Sequence, residues 1–309
     1  MKDGRFFENN KNSVLIAILC AILWGSAFPV LKITYLEMNM LPSDYDAKVF
    51  LAGLRFFIAS LMLFAFVKFG QRESIRIEKK NIGWIIILGL LQTTLGYFFF
   101  YNGLANTTAM KGAILGTLEN FLVVIGAHFI YKNDRINLQK VVGLITGLLG
   151  VIIVNMGNSF SMGFRFTGEG FMIISAICSA LATFLAKNKG KTMNVFLMTA
   201  WQMFLGSIIM LFFGIPVIKA DKFHLNEISF ILLIYSAILS AVAFSLWYVL
   251  LTYHKAGSIS LYKFVIPISG AIFSVMFIPG EIVTSNLIIS LILVSLGIVF
   301  INLKGKKQK

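Results

Sequence analysis

Five ionisable side chains sit inside long apolar runs: Glu119, Lys263, Arg55, Lys32 and Lys111. A charge at the centre of a bilayer costs on the order of 3 kcal/mol on insertion scales, so a retained one is paired, neutralised or at work. Glu119 lies in "GAILGTLENFLVVIGAHFI", residues 112–130, a stretch without Lys or Arg. Helical projection groups it with Gly112, Gly116, Val123 and Gly126, opposite Ile114, Leu118, Phe121 and Ile125. The small-residue stripe lets a second helix or a ligand approach, and the apolar stripe faces lipid or packing. Lys263 shares its own stripe with Pro267, Gly270 and Ser274. At 1.5 Å per residue Glu119 is roughly 18 Å from the inner end of its helix and Lys263 about 9 Å from the inner end of its own. The lysine stem adds roughly 6 Å, so the two heads reach similar depths. The reading is a Glu119–Lys263 pair that forms in one conformation and breaks in another, with a neutral, helix-locking glutamic acid as the structural alternative.

The remaining candidates are less specific. Arg55, in "LRF", either bonds backbone carbonyls or faces a cavity. Lys32 and Lys111 lie within about two turns of their outer helix ends, where long stems snorkel or form structural ion pairs. Trp24, Tyr97 and Trp247 are candidates for a pocket wall, and Gln92 and Asn120 for orienting hydrogen bonds. Tyr101, Trp201, Gln202, Tyr248 and Tyr262 are further possibilities in a chain whose 30 Phe make packing the commoner aromatic role. Pro267 and Gly270 read as a hinge, because Pro removes a backbone hydrogen bond.

No catalytic constellation, metal cluster, cofactor motif or ATP-binding loop can be assembled. Cys20 and Cys178 both fall in apolar runs and read as buried thiols. The loop acids Asp134, Glu169 and Glu281 do not cluster by spacing.

These residues need helices to carry them. The chain has 309 residues, 58% hydrophobic and 13% charged, whereas soluble domains are nearer a quarter charged. Ten apolar runs are each long enough to cross a bilayer: 13–36, 49–69, 82–103, 107–130, 139–156, 169–187, 195–218, 228–252, 257–278 and 284–303. With the N-terminus inside, nineteen Lys and Arg fall in inner segments and four in outer ones, as the positive-inside rule requires. The formal charge of +14 is thereby explained by topology, and nucleic acid is not expected as a partner. The first run is too long for a cleaved leader and reads as a retained span.

Five spans precede the break "GNSFSMGFRFTGE" and five follow, so the second half inserts upside down relative to the first. The expected fold is all-α and integral to the membrane: ten transmembrane helices as two inverted five-helix repeats. The first repeat is 1–156, an outer linker is 157–168, and the second repeat with its basic tail is 169–309. "AILWGSAFPVLKI", "GLRFFIASLML", "VVGLITGLLGVIIV" and "FVIPISGAIFSVMFIPGE" in this order resemble the drug/metabolite transporter superfamily, in its EamA-type branch. The resemblance covers nearly the whole chain. It implies cytoplasmic termini, the plasma membrane, and export or exchange of a small metabolite by alternating access, with amino acids as the leading class. Without an ATP site, protons or a counter-substrate are the expected coupling partners. The family pattern places a Pro midway along the fourth helix of each half and a Glu at its end. The second half keeps Pro267 and Glu281. The first half has Glu119-Asn120 and Asn133-Asp134 near those positions. A membrane sensor or scaffold subunit, and an integral-membrane lipid-modifying enzyme, are the competing classes.

Overall fold

The computed structural model describes residues 5–41, 43–107, 109–156, 163–219, 223–280 and 282–302. Lys2, Lys222, Glu281, residues 157–162 of the expected linker and the lysines from 304 onward lie outside them. The described residues form long helices: α1 Asn10–Glu37, α2 Tyr45–Gly70, α3 Lys79–Ala105, α4 Lys111–Ile130, α5 Leu138–Val154, α6 Phe166–Lys189, α7 Val195–Lys219, α8 Glu227–Tyr253, α9 Ala256–Phe277 and α10 Ser285–Asn302. Nine are long and apolar enough to cross a membrane, and α5, at 17 residues, is shorter. Their starts follow ordinary capping chemistry. Asn9 caps α1, Asn137 caps α5, and Asn226 with Ser229 forms a reciprocal box at α8.

Five packing relations organise the bundle. α2 packs along α7 and α5 along α10; α1 lies between α8 and α9; α6 lies between α3 and α4; α4 meets α9. The α1–α9 seam is the tightest of these near the charged pair. A Cβ on Gly25 would stand 2.0 Å from Ser269 Oγ and 2.9 Å from Gly270 N. On Gly270 it would meet Phe28 Cδ2 at 2.9 Å. Small residues here let the backbones touch. Gly25→Ala should therefore lower stability by about 1–3 kcal/mol, the usual effect of overpacking. Gly83→Ala, where a Cβ would meet nothing within 4 Å, should be nearly neutral. Thermal unfolding of both variants in detergent checks the contrast.

Three helices lose regularity within their length. α3 widens into a π-type segment at Leu90–Leu95, α4 is interrupted at Thr117, and α9 tightens into a 3₁₀ stretch at Ser260–Phe264. Pro267 is not at the break. It falls in the first turn of the segment Val265–Phe277, where a missing N–H is tolerated. The irregular turn precedes it, and Gly270 serves the α1 contact.

The end carrying the basic connections is closed by buried polar contacts. Asp134, 1% exposed, bonds Lys140 Nζ at 2.5 Å and accepts from Gly257 N at 2.8 Å. Lys187 Nζ donates to the carbonyls of Leu251 at 2.7 Å and His254 at 2.5 Å, satisfying the free carbonyls that end α8. His254 Nε2 contacts Ser13 Oγ and the Phe7 carbonyl, each at 2.6 Å. Lys140 and Lys187, counted above among the inner loop cations, are thus buried fasteners, and Asp134 is not a free loop acid. At the opposite end Lys111 pairs with Glu169 at 2.8 Å, and Glu169 also accepts from Thr107 Oγ1 and Arg165 N. Of the two readings for Lys111, the structure has the ion pair. Cys20 and Cys178 are buried free thiols, a quiet background for labelling. Ser74 and Thr167 are both exposed. A membrane-impermeant thiol reagent on intact cells should label Thr167→Cys, and should reach Ser74→Cys only after permeabilisation. The reverse pattern would invert the orientation.

Candidate functional site

The three irregular segments converge on one cavity of about 900 Å³. Glu119 stands two residues past the interruption of α4, Lys263 lies in the 3₁₀ stretch of α9, and Gln92 in the π-type segment of α3. All three side chains line the cavity, with Arg55, Asn120, Trp24, Tyr97, Pro267 and Gly270. Irregular turns free backbone groups and re-aim side chains, which is why they recur at working sites in membrane bundles. The cavity extends toward the connections at Thr107, Met156 and Thr284, away from the closed basic end.

Lys263 Nζ donates to Glu119 Oε1 at 2.5 Å, and Thr183 Oγ1 on α6 donates to the same oxygen at 3.3 Å. The two charged side chains are 13% and 16% exposed, so each relies on the other rather than on bulk water. The ammonium also lies over two indoles, 5.5 Å from the Trp24 ring and 5.1 Å from the Trp247 ring, within cation–π range. Trp24 and Trp247 meet edge to face at 5.3 Å. Neither indole N–H has a protein acceptor. From Trp24 the aromatic wall continues to Phe244 at 5.3 Å, Phe56 at 6.2 Å and Tyr97 at 4.6 Å.

The sequence profile of the EamA-like transporter family matches residues 11–156 and again 166–303. The chain belongs to the EamA-like transporter family. It is a multi-pass membrane protein and a membrane transporter. Among its relatives, the uncharacterized transporter YoaV of Bacillus subtilis is 24% identical over 92% of this chain and 95% of its own. An uncharacterized transporter of Archaeoglobus fulgidus is 28% identical over 86% and 89%. The chloroplastic WAT1-related protein At3g02690 of Arabidopsis thaliana is 24% identical over 89% of this chain and 65% of its own. A crystal structure at 15% identity superimposes with a TM-score of 0.75 over 96% of this chain and 98% of that one, a likeness of fold.

In this EamA-like transporter the remaining candidates separate by position. Trp247 is 1% exposed and backs the cavity from behind Trp24 rather than lining it. Tyr248 is equally buried and donates to Gln92 Oε1 at 3.4 Å, fixing that amide. Tyr101 lines the cavity. Trp201 bonds the Ile75 carbonyl at 2.9 Å, Gln202 accepts from Thr93 at 2.8 Å, and Tyr262 bonds Asn302 at 2.9 Å; none of these three lines the cavity. Lys32 is exposed near the C-terminal end of α1. Arg55 is 3% exposed, its Nε donating to the Ser236 carbonyl at 3.1 Å and Ser240 Oγ at 2.6 Å. The two readings for Arg55 are therefore both present, since it bonds a backbone carbonyl and lines the cavity. Thr183 and Phe244 were not foreseen. A Thr inside the Ala-rich run "SALATFLA" was the available signal for the first, and one Phe among 30 carried none.

Proposed function

We propose that this transporter is a secondary carrier that moves a small amphipathic metabolite, with amino acids the leading class, by alternating access. The observation that carries the reading is the Glu119–Lys263 pair, set at the interruptions of α4 and α9 and facing the cavity. A zwitterion presents an ammonium that can replace Lys263 at Glu119. Pair exchange then links cargo binding to the breaking of an α4–α9 contact. Two inverted five-helix repeats are the architecture we assign. In their favour, adding five to each helix number maps the α1–α8 contact onto α6–α3, α1–α9 onto α6–α4, and α2–α8 onto α7–α3. In the same reading α5 completes the ten crossings, the termini are cytoplasmic, the membrane is the plasma membrane, and the direction is outward. The turn at Ser260–Phe264, with Pro267 just beyond, is the hinge. Protons or a counter-substrate drive the cycle.

Counterflow tests the reading. Proteoliposomes preloaded with a mixture of the twenty amino acids should take up labelled members of that mixture faster than empty vesicles. Equal uptake for every amino acid, in proteoliposomes and in protein-free vesicles, would remove this class. An imposed pH gradient separates proton coupling, which accelerates net flux, from strict exchange, which it leaves unchanged.

A further inference from the structure

We infer that Arg55 is the anion-binding residue of the central cavity, so that the cargo carries a carboxylate at the end opposite the Glu119–Lys263 pair. The inference rests on the transport reading above. Three charged side chains line the cavity: Arg55, Glu119 and Lys263. Glu119 and Lys263 neutralise one another. Arg55 is 3% exposed, and among the described residues no carboxylate pairs with it. A buried charge is stable only with a counter-charge or dense hydrogen bonding, and the protein supplies Arg55 with the Tyr101 hydroxyl and, at Nε, with one carbonyl and one hydroxyl. A strut between α2 and α8 would need no more than that contact. A guanidinium has five N–H donors, so beyond these contacts others remain on the planar fork that grips a carboxylate at two points.

The wall between the poles is apolar and continuous. Arg55 lies 5.3 Å from the Phe56 ring, Phe56 packs on Phe244, Phe244 on Trp24, and Lys263 sits over Trp24. The Trp24 N–H, without a protein acceptor, adds a donor beside this wall. The arrangement fits a molecule with a carboxylate at Arg55 and an apolar body along the aromatic rings. An amino acid that also offers Glu119 an ammonium is one with a second amine at the far end of its side chain, since the α-ammonium stays beside the carboxylate.

The test uses three matched panels in proteoliposome counterflow: the amino acids, the amines formed by their decarboxylation, and the carboxylates formed by their deamination. A set such as leucine, 3-methylbutylamine and 4-methylpentanoate varies one pole at a time. The parent protein should recognise amino acids or carboxylates at least about tenfold better than the matched amines. Arg55→Gln should lose that preference, and Arg55→Lys should regain part of it. Amines recognised as well as their carboxylated partners, or an Arg55→Gln variant with the parent's preference, would overturn the anion site while leaving the carrier reading intact. No counterflow with any panel would overturn both. The parent's own ranking of the panels needs no variant, so the test stands if Arg55→Gln fails to fold.

Discussion

Replacing Glu119 by Gln should lower recognition of an ammonium-bearing cargo about ten- to a hundredfold while leaving the protein folded. Hydrogen bonds to charged groups contribute about 1.5–3 kcal/mol, and each 1.4 kcal/mol is about a tenfold change in affinity. The Gln oxygen can still accept from Lys263 and Thr183, so the α4–α9 and α4–α6 contacts keep their shape. What is lost is the charge that makes an ammonium a competitor for Lys263. Lys263→Ala should behave differently. It leaves Glu119 with only the Thr183 hydroxyl, and breaking a buried pair costs about 3–5 kcal/mol. Because the pair borders a cavity that water can enter, the lower figure is expected. Adding Glu119→Gln to Lys263→Ala should recover most of that loss. Counterflow and thermal unfolding, measured on the two single variants and the double, separate the roles. A Glu119→Gln protein with the parent's affinity and rate would make the acid a helix-packing group.

The second large effect belongs to the closed end. Asp134→Ala should destabilise the protein by about 3–5 kcal/mol, the range for breaking a buried ion pair. It leaves Lys140 Nζ with only the carbonyls of Asp134 and Arg135, and Gly257 N without its carboxylate. Asp134→Asn keeps an acceptor for Gly257 and should lose less. Asp134→Ala with Lys140→Met removes both charges and should regain stability in detergent melts. Since Asp134 joins the α4–α5 connection to the start of α9, the double variant should also loosen this end. A cysteine placed at Ser258 should then be labelled faster in detergent-solubilised protein. An unchanged melting temperature for Asp134→Ala would show that the pair is dispensable.

The helices were legible in the sequence because twenty-residue apolar runs, broken by Lys and Arg, have few readings. The α4–α9 charge pair was legible for a related reason. Glu119 and Lys263 are both costly in hydrocarbon, and depth arithmetic put their heads at one level. Arg55 showed its importance but not its setting, because a single sequence does not say which helix supplies Ser236 and Ser240. Asp134 was misread for the opposite reason. "KNDRINLQK" is polar throughout, so nothing in it marks the one acid that turns inward to meet Gly257, 123 residues away. The hinge was placed on Pro267 by a rule about helix interiors. The chain satisfies that rule by starting a new helical segment at Val265, and regularity is lost in Ser260–Phe264, where no Gly or Pro announces it.

The two indoles around Lys263 have a practical consequence. The protein contains four tryptophans, and two of them, Trp24 and Trp247, share one ammonium. An indole's excited state moves electron density across its rings, so a fixed positive charge beside it shifts the emission wavelength. Departure of Lys263 from Glu119, or arrival of a cargo ammonium in its place, changes that local field at both reporters together. Trp201, tied to the Ile75 carbonyl, and Trp84, beside Lys189, lie outside the cavity and provide the steady background. Unlabelled protein in a stopped-flow fluorimeter thus carries its own optical record of when the central pair opens, and Trp24→Phe or Trp247→Phe would apportion the signal between the two rings.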